Sequence, residues 1–164
     1  MIYAVGASSD RRLGIDGFGM TGTATATELV AWINAQPDYR DLAVPLDHER
    51  VVIFGNGNVA LDVARILTTD PKRLAHSDIS WHALAALRGS KVREVVVVAR
   101  RRPAQSAFTL PEMIGLTAAS WVVLSADDHE QVHADLADCT DRMFRHKLEL
   151  LASLGIHNER ETRR

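Results

Sequence analysis

The stretch VVIFGNGNVALDVARIL, Val51 to Leu67, decides how this chain is read. Val51 to Phe54 form a short apolar run of the kind that makes a buried strand. Gly55-Asn56-Gly57 interrupts it, and a helical pattern then runs from Asn58 to Thr69, stopping before Pro71. A strand, a glycine turn and a helix in that order form the mononucleotide-binding corner of dinucleotide-binding domains. Each small residue has its own task there. Gly55 permits the sharp exit from the strand. Gly57 removes a side chain, so that backbone can approach a pyrophosphate. Ala60 occupies the third small position, where helix and strand pack closely. The helix start then presents free N–H groups and the positive end of its dipole to phosphate. A single such turn is also compatible with a structural corner that binds nothing.

The surrounding pattern extends the argument. The next apolar run, EVVVVA, ends in Arg100-Arg101-Arg102. NAD-specific domains end this strand in a carboxylate that accepts bonds from the ribose hydroxyls. Guanidinium groups instead donate charge-assisted, often bidentate bonds to a 2′-phosphate. Each is worth roughly 1.5–3 kcal/mol, enough for tenfold discrimination. The cationic strand end therefore points to NADP(H) over NAD(H). Its distance along the chain from the glycines exceeds the usual ~20 residues. The helix expected in SDISWHALAALRGS, capped by Ser77 or Asp78 and ended by Gly89, is therefore an insertion in the crossover.

Further elements follow from periodicity and punctuation. Residues 2–6 read as a short strand, TATATELVAWINAQ as a helix, LPEMIGLTAA as a short helix and 121–125 as a strand. Strands are expected at 50–54 and 94–99 as well. Asp128 to Leu154 reads as mostly helical, with Met143, Phe144, Lys147, Leu148, Leu151 and Leu154 in one stripe. Alternating strands and helices imply an α/β fold with a doubly wound parallel sheet, Rossmann-like, whose apolar strands are covered on both faces.

The chain has 164 residues, a net charge of −2, 46% hydrophobic and 24% charged residues, which are the proportions of one ordinary globular domain. That charge gives no general pull toward nucleic acid or an anionic membrane. No stretch approaches the ~20 apolar residues of a membrane span, and the N-terminus lacks the pattern of a signal peptide. Cys139 is the single cysteine, so no internal disulfide forms, and a reducing, cytoplasmic compartment is expected.

These strings closely resemble the adrenodoxin reductase family, the FAD-containing NADPH:ferredoxin oxidoreductases of bacterial and mycobacterial type. The likeness rests on VVIFGNGNVALDVARIL and on ALRGSKVREVVVVARRRPAQSAFTLPE, and reaches back to GASSDRRLGIDG and ATELVAWINAQPD. It implies that Asn56, Asn58 and Val59 lie against the pyrophosphate, beside Gly55, Gly57 and Ala60. Arg100 and Arg101 hold the 2′-phosphate, and Glu112 stands near the nicotinamide end. Asp62 matches a motif aspartate, either a candidate catalytic carboxylate or one that orients the helix. The family usually has glutamine in place of Asn56 and glycine in place of Arg102.

The resemblance further implies that FAD binds the complete enzyme through a separate glycine turn that this chain lacks, and that an iron–sulfur ferredoxin is the partner. Residues 1–48 are then a linker region with a helix, and 49–164 an NADP(H)-binding domain incomplete at its C-terminus. Such a truncated portion of a two-domain flavoprotein is expected to hold nucleotide without catalysing electron transfer. It is also expected to self-associate through surface left by the missing domain. A stand-alone NADP(H)-binding or redox-sensing module is the alternative. A remoter one is a zinc metallopeptidase, because HEQVH at 129–133 matches H-E-x-x-H. The spacing points to no third ligand, however, and chance histidines on a solvated helix account for the match.

Overall fold

The computed structural model describes residues 14–157; the strand expected at 2–6 lies outside them. Two compact units divide the chain. One takes the residues up to Val51 together with Ile66–Val95; the other takes Val52–Arg65 and the residues from Val96 onward.

In the first unit, α1 (Ala26–Ile33) starts at a reciprocal cap. The Glu28 N–H donates to Thr25 Oγ1 at 3.2 Å, and the Thr25 N–H donates to Glu28 Oε2 at 2.7 Å. Two donors that the helix itself cannot satisfy are thereby paired. Leu29, Ala31, Trp32 and Ile33 turn into the core. Asp70 caps the single turn α2 (Pro71–Leu74), and α3 (Trp81–Arg88) runs from Ser80 to Gly89. The cap therefore lies at Ser80, not at Ser77 or Asp78. The reason is tertiary: the Ser80 N–H donates to Ile33 O at 3.0 Å, so the helix entry is pinned to the end of α1. His82 packs edge-on against Trp32, with ring centroids 5.6 Å apart.

The second unit carries the turn singled out above. Helix α4 (Asn58–Thr68) follows it directly and buries Ala60, Leu61, Val63 and Ala64. Helix α5 (Leu110–Ala119) has the bounds that its sequence predicts. The long helical stretch expected from Asp128 is two helices, α6 (Ala126–Asp138) and α7 (Arg142–Ala152), packed together. The break has a local cause. Cys139 is extended, and the Asp141 carboxylate restarts the helix by accepting from Met143 N–H at 2.8 Å and Phe144 N–H at 3.2 Å. Leu148 and Leu151 from the expected stripe are buried, whereas Met143 is 81% exposed.

The strands are β1 (Arg50–Phe54), β2 (Glu94–Val98), β3 (Val123–Leu124) and β4 (Gly155–Ile156). Among the described residues they pair as β1 with β2 and β3 with β4, the latter pair parallel. Strand β4 was not expected; two residues carry too little periodicity to announce a strand. His157 N–H donating to Leu124 O at 2.7 Å continues its pairing. At one end of β1, Glu49 O accepts from Arg93 N–H and Glu94 N–H at 2.8 and 3.0 Å; at the other, Gly55 N–H donates to Val98 O at 2.8 Å. Both strands thus advance in the same direction, as a crossover connection requires. Covering on both faces is not found for β1. Val52 and Phe54, which share a face, are 46% and 60% exposed.

Leu148 and Met143 provide a direct contrast, because sequence places both on one helical stripe. Leu148→Ala is expected to lower the unfolding free energy by about 2–5 kcal/mol in urea titration. Met143→Ala, at an exposed position, is expected to change it by less than about 0.5 kcal/mol.

Candidate nucleotide-binding site

All the residues that sequence nominates for the site fall in the second unit. Gly55 has φ +125°, a region that side-chain-bearing residues rarely enter. This is the sharp exit that the strand-to-helix corner needs. Gly57 has no such φ, and a Cβ built there meets nothing within 4 Å. Its lack of a side chain is therefore not demanded by packing inside the chain. The space it leaves is open, as close approach by a ligand requires. Ala60, by contrast, is buried.

Past Gly57, the Leu61 N–H donates to Gly57 O at 3.2 Å and closes the first turn of α4. The N–H groups of Asn58, Val59 and Ala60 precede this bond and have no carbonyl of their own helix to meet. Val59 is 53% exposed beside them. An anion placed there would meet these N–H groups and the positive helix end.

The Gly55–Val98 hydrogen bond brings the cations to this corner. Arg100 lies two residues beyond Val98, so its Cα is within about 7 Å of a residue bonded to the turn. Arg100 and Arg101 are both exposed. Arg102 points elsewhere: its Nη1 lies 4.0 Å from Asp135 Oδ1 on α6.

The segment between Ser106 and Thr109 forms the other wall. Phe108 N–H donates to Asn56 O at 3.1 Å, and Thr109 N–H donates to Asn58 Oδ1 at 2.7 Å. Asn58 thus acts through its side chain inside the protein while its backbone opens the helix. Thr109 also precedes α5, and half-buried Glu112 stands in the first turn of that helix. The two bonds therefore bring Glu112 to the same end of the unit as the glycine turn. Asp62 is differently occupied: its carboxylate accepts from Arg65 Nη2 one turn further along α4. Arg65 in turn passes over Gly115 of α5, where a Cβ would sit 4.0 Å from its Cδ.

Lys147 is the residue that the site reading missed. Its Nζ donates to Ser106 O at 2.6 Å and to Phe108 O at 3.1 Å, and lies 4.1 Å from the Phe108 ring centroid. Burial pushes its pKa below the ordinary lysine value. Its place in the α7 stripe was legible, but not its partners.

The rival motif fares differently. His129 and His133 lie tilted against each other on α6, with ring centroids 4.6 Å apart and planes at 54°. Among the described residues, no three metal-binding side chains come together. No described helix is long and apolar enough to cross a membrane.

Comparison with known proteins meets this geometry. The chain is 65% identical over 155 residues to a Mycobacterium tuberculosis protein named "Probable ferredoxin/ferredoxin–NADP reductase", covering 94% of the chain and 27% of the relative. The chain is homologous to part of the ferredoxin–NADP reductases. The homology extends to the mitochondrial NADPH:adrenodoxin oxidoreductase of Arabidopsis thaliana, 46% identical over 114 residues, 69% of the chain and 24% of that protein. The fold matches the structure of Mycobacterium tuberculosis FprA in complex with NADPH, with a TM-score of 0.81 and 39% identity over 95% of this chain and 36% of that one. The chain thus spans about a quarter to a third of the length of these reductases. No protein-family model matches the sequence.

The two glycines of the turn are separable by experiment. Gly55→Ala is expected to cost about 1–3 kcal/mol of stability, because alanine is strained at that φ. Gly57→Ala is expected to leave the urea midpoint nearly unchanged, since its Cβ would project into open space.

Proposed function

We propose that this chain is the NADP(H)-binding portion of a ferredoxin–NADP+ reductase. The observation that carries the reading is the Gly55–Val98 bond, because it places the glycine turn beside the strand end bearing Arg100 and Arg101. In the proposed site, the backbone of residues 55–60 receives the pyrophosphate, with Asn56, Asn58 and Val59 against it. Arg100 and Arg101 receive the 2′-phosphate. Glu112 lies toward the nicotinamide end. The ion pair of Asp62 with Arg65 supports a helix-orienting role for that carboxylate. The nucleotide-binding portion is taken as residues 49–164, with 1–48 as a connecting region.

The residues present fit such a ligand. Open space surrounds both turn glycines, and exposed cations stand at the neighbouring strand end. Gly17, Gly19 and Gly22 lie in turns before α1. Bound in a complete reductase, NADPH would supply the hydride equivalents that a flavin and an iron–sulfur ferredoxin would take up. This chain's contribution is to select the phosphorylated nucleotide and hold its reactive end in place. By itself it is expected to bind without reducing ferredoxin. The exposed apolar side chains of β1 support self-association of the isolated chain, and the lone thiol of Cys139 is compatible with a reducing, cytoplasmic setting.

Calorimetric titration with NADP+ and NAD+ tests the reading. NADP+ is expected to bind at least about tenfold more tightly, and Arg101→Ala to remove most of that difference. Gly57→Ala is expected to weaken both nucleotides without unfolding the chain, because a methyl group would stand where the pyrophosphate approaches. Equal affinities for the two nucleotides would remove the arginines from the site. A preparation of this chain that reduced ferricyanide with NADPH would overturn the division of labour with a separate flavin portion.

A further inference from the structure

The turn that bears the proposed nucleotide is not braced by its own helix alone. Phe108 N–H and Thr109 N–H reach it through Asn56 O and Asn58 Oδ1. These donors belong to an irregular segment between the 3-10 turn at Pro103–Gln105 and helix α5. Such a segment has no ladder or helix to fix its carbonyls. Ser106 and Phe108 are buried, and the Ser106 hydroxyl has no hydrogen-bond partner among the described residues. The carbonyls of these two residues are nevertheless satisfied, because Lys147 Nζ donates to both. The same ammonium lies over the Phe108 ring. A half-buried lysine is costly to keep charged, and three contacts to one segment offset that cost.

We propose that Lys147 is a positioning residue for the nucleotide site. It clamps Ser106–Phe108 from behind, and through them holds Asn56 and Asn58 in the conformation that presents the turn to pyrophosphate. The relay is short: Lys147 Nζ to Phe108 O, Phe108 N–H to Asn56 O, and Thr109 N–H to Asn58 Oδ1. Because Thr109 also leads into α5, the same clamp sets where Glu112 stands. This inference rests on the nucleotide reading for its ligand, but not for the clamp itself.

Two measurements on the full chain separate the two. In the absence of nucleotide, Lys147→Met is expected to speed amide hydrogen exchange at Phe108 and Thr109. Leu61 and His129, whose N–H groups donate to Gly57 O and Ser125 O, are expected to keep their protection. In calorimetry, Lys147→Met is expected to weaken NADP+ binding by about tenfold, because the ligand must then order a turn that Lys147 no longer holds. Lys147→Arg, which keeps charge and donors, is expected to stay within about twofold of the unaltered chain. Uniform loss of protection at all four amides would overturn the proposal, because Lys147 would then be supporting the whole unit. So would unchanged exchange and affinity in Lys147→Met. If the unaltered chain bound no NADP+, the nucleotide reading would fall, and the exchange pattern alone would decide whether Lys147 orders the turn.

Discussion

The hydrogen bond from Gly55 N–H to Val98 O sits at the point where two strands end together. One strand leads into a turn with open space beside its glycines, the other into a run of cations. Each feature alone is ordinary: glycine turns occur at many corners, and arginines often solvate strand ends. The chemistry arises from their adjacency. Parallel strands need a crossover between them, so residues far apart in sequence emerge at the same sheet edge. The positive φ of Gly55 lets the chain turn away immediately after this bond. The strand end and the helix start therefore share one small region, and charge from both can act on one ligand.

Around that corner several side chains are paired within the unit. Asn58 opens a helix with its backbone and anchors Thr109 with its side chain. Asp62 and Arg65 pair along α4, and Arg65 covers Gly115. Arg102 turns toward Asp135. Lys147 reaches the carbonyls that no ladder or helix takes up. Buried polar groups are costly unless paired, so the Lys147 contacts to Ser106 and Phe108 constrain where that backbone can lie. Rigidity at a binding turn is useful for a physical reason. A ligand that must order its site loses affinity in doing so, whereas a site already ordered does not impose that cost.

Where the sequence was legible, a strong local signal spoke with one voice. Helix α5 begins after Thr109 with proline in its first turn and ends where its apolar pattern ends. Strands β1 and β2 are compact runs rich in β-branched residues, and Gly55 ends the first. Where reading failed, the signal was short or external. Two-residue β4 carries no period. The break between α6 and α7 depends on Asp141 acting as a cap inside an otherwise helical pattern. The start of α3 is set by a bond to Ile33, which local pattern does not contain.

By itself, the sequence determined the type of corner, the small residues it requires and the sign of the charge at the next strand end, because these follow from backbone sterics and side-chain chemistry at fixed spacing. Only the tertiary structure decided which arginine is diverted to a carboxylate, that Gly57 faces open space, and that Lys147 reaches the carbonyls of Ser106 and Phe108. Those outcomes depend on distances between residues tens of positions apart, and such distances are set by packing, to which no local pattern has access.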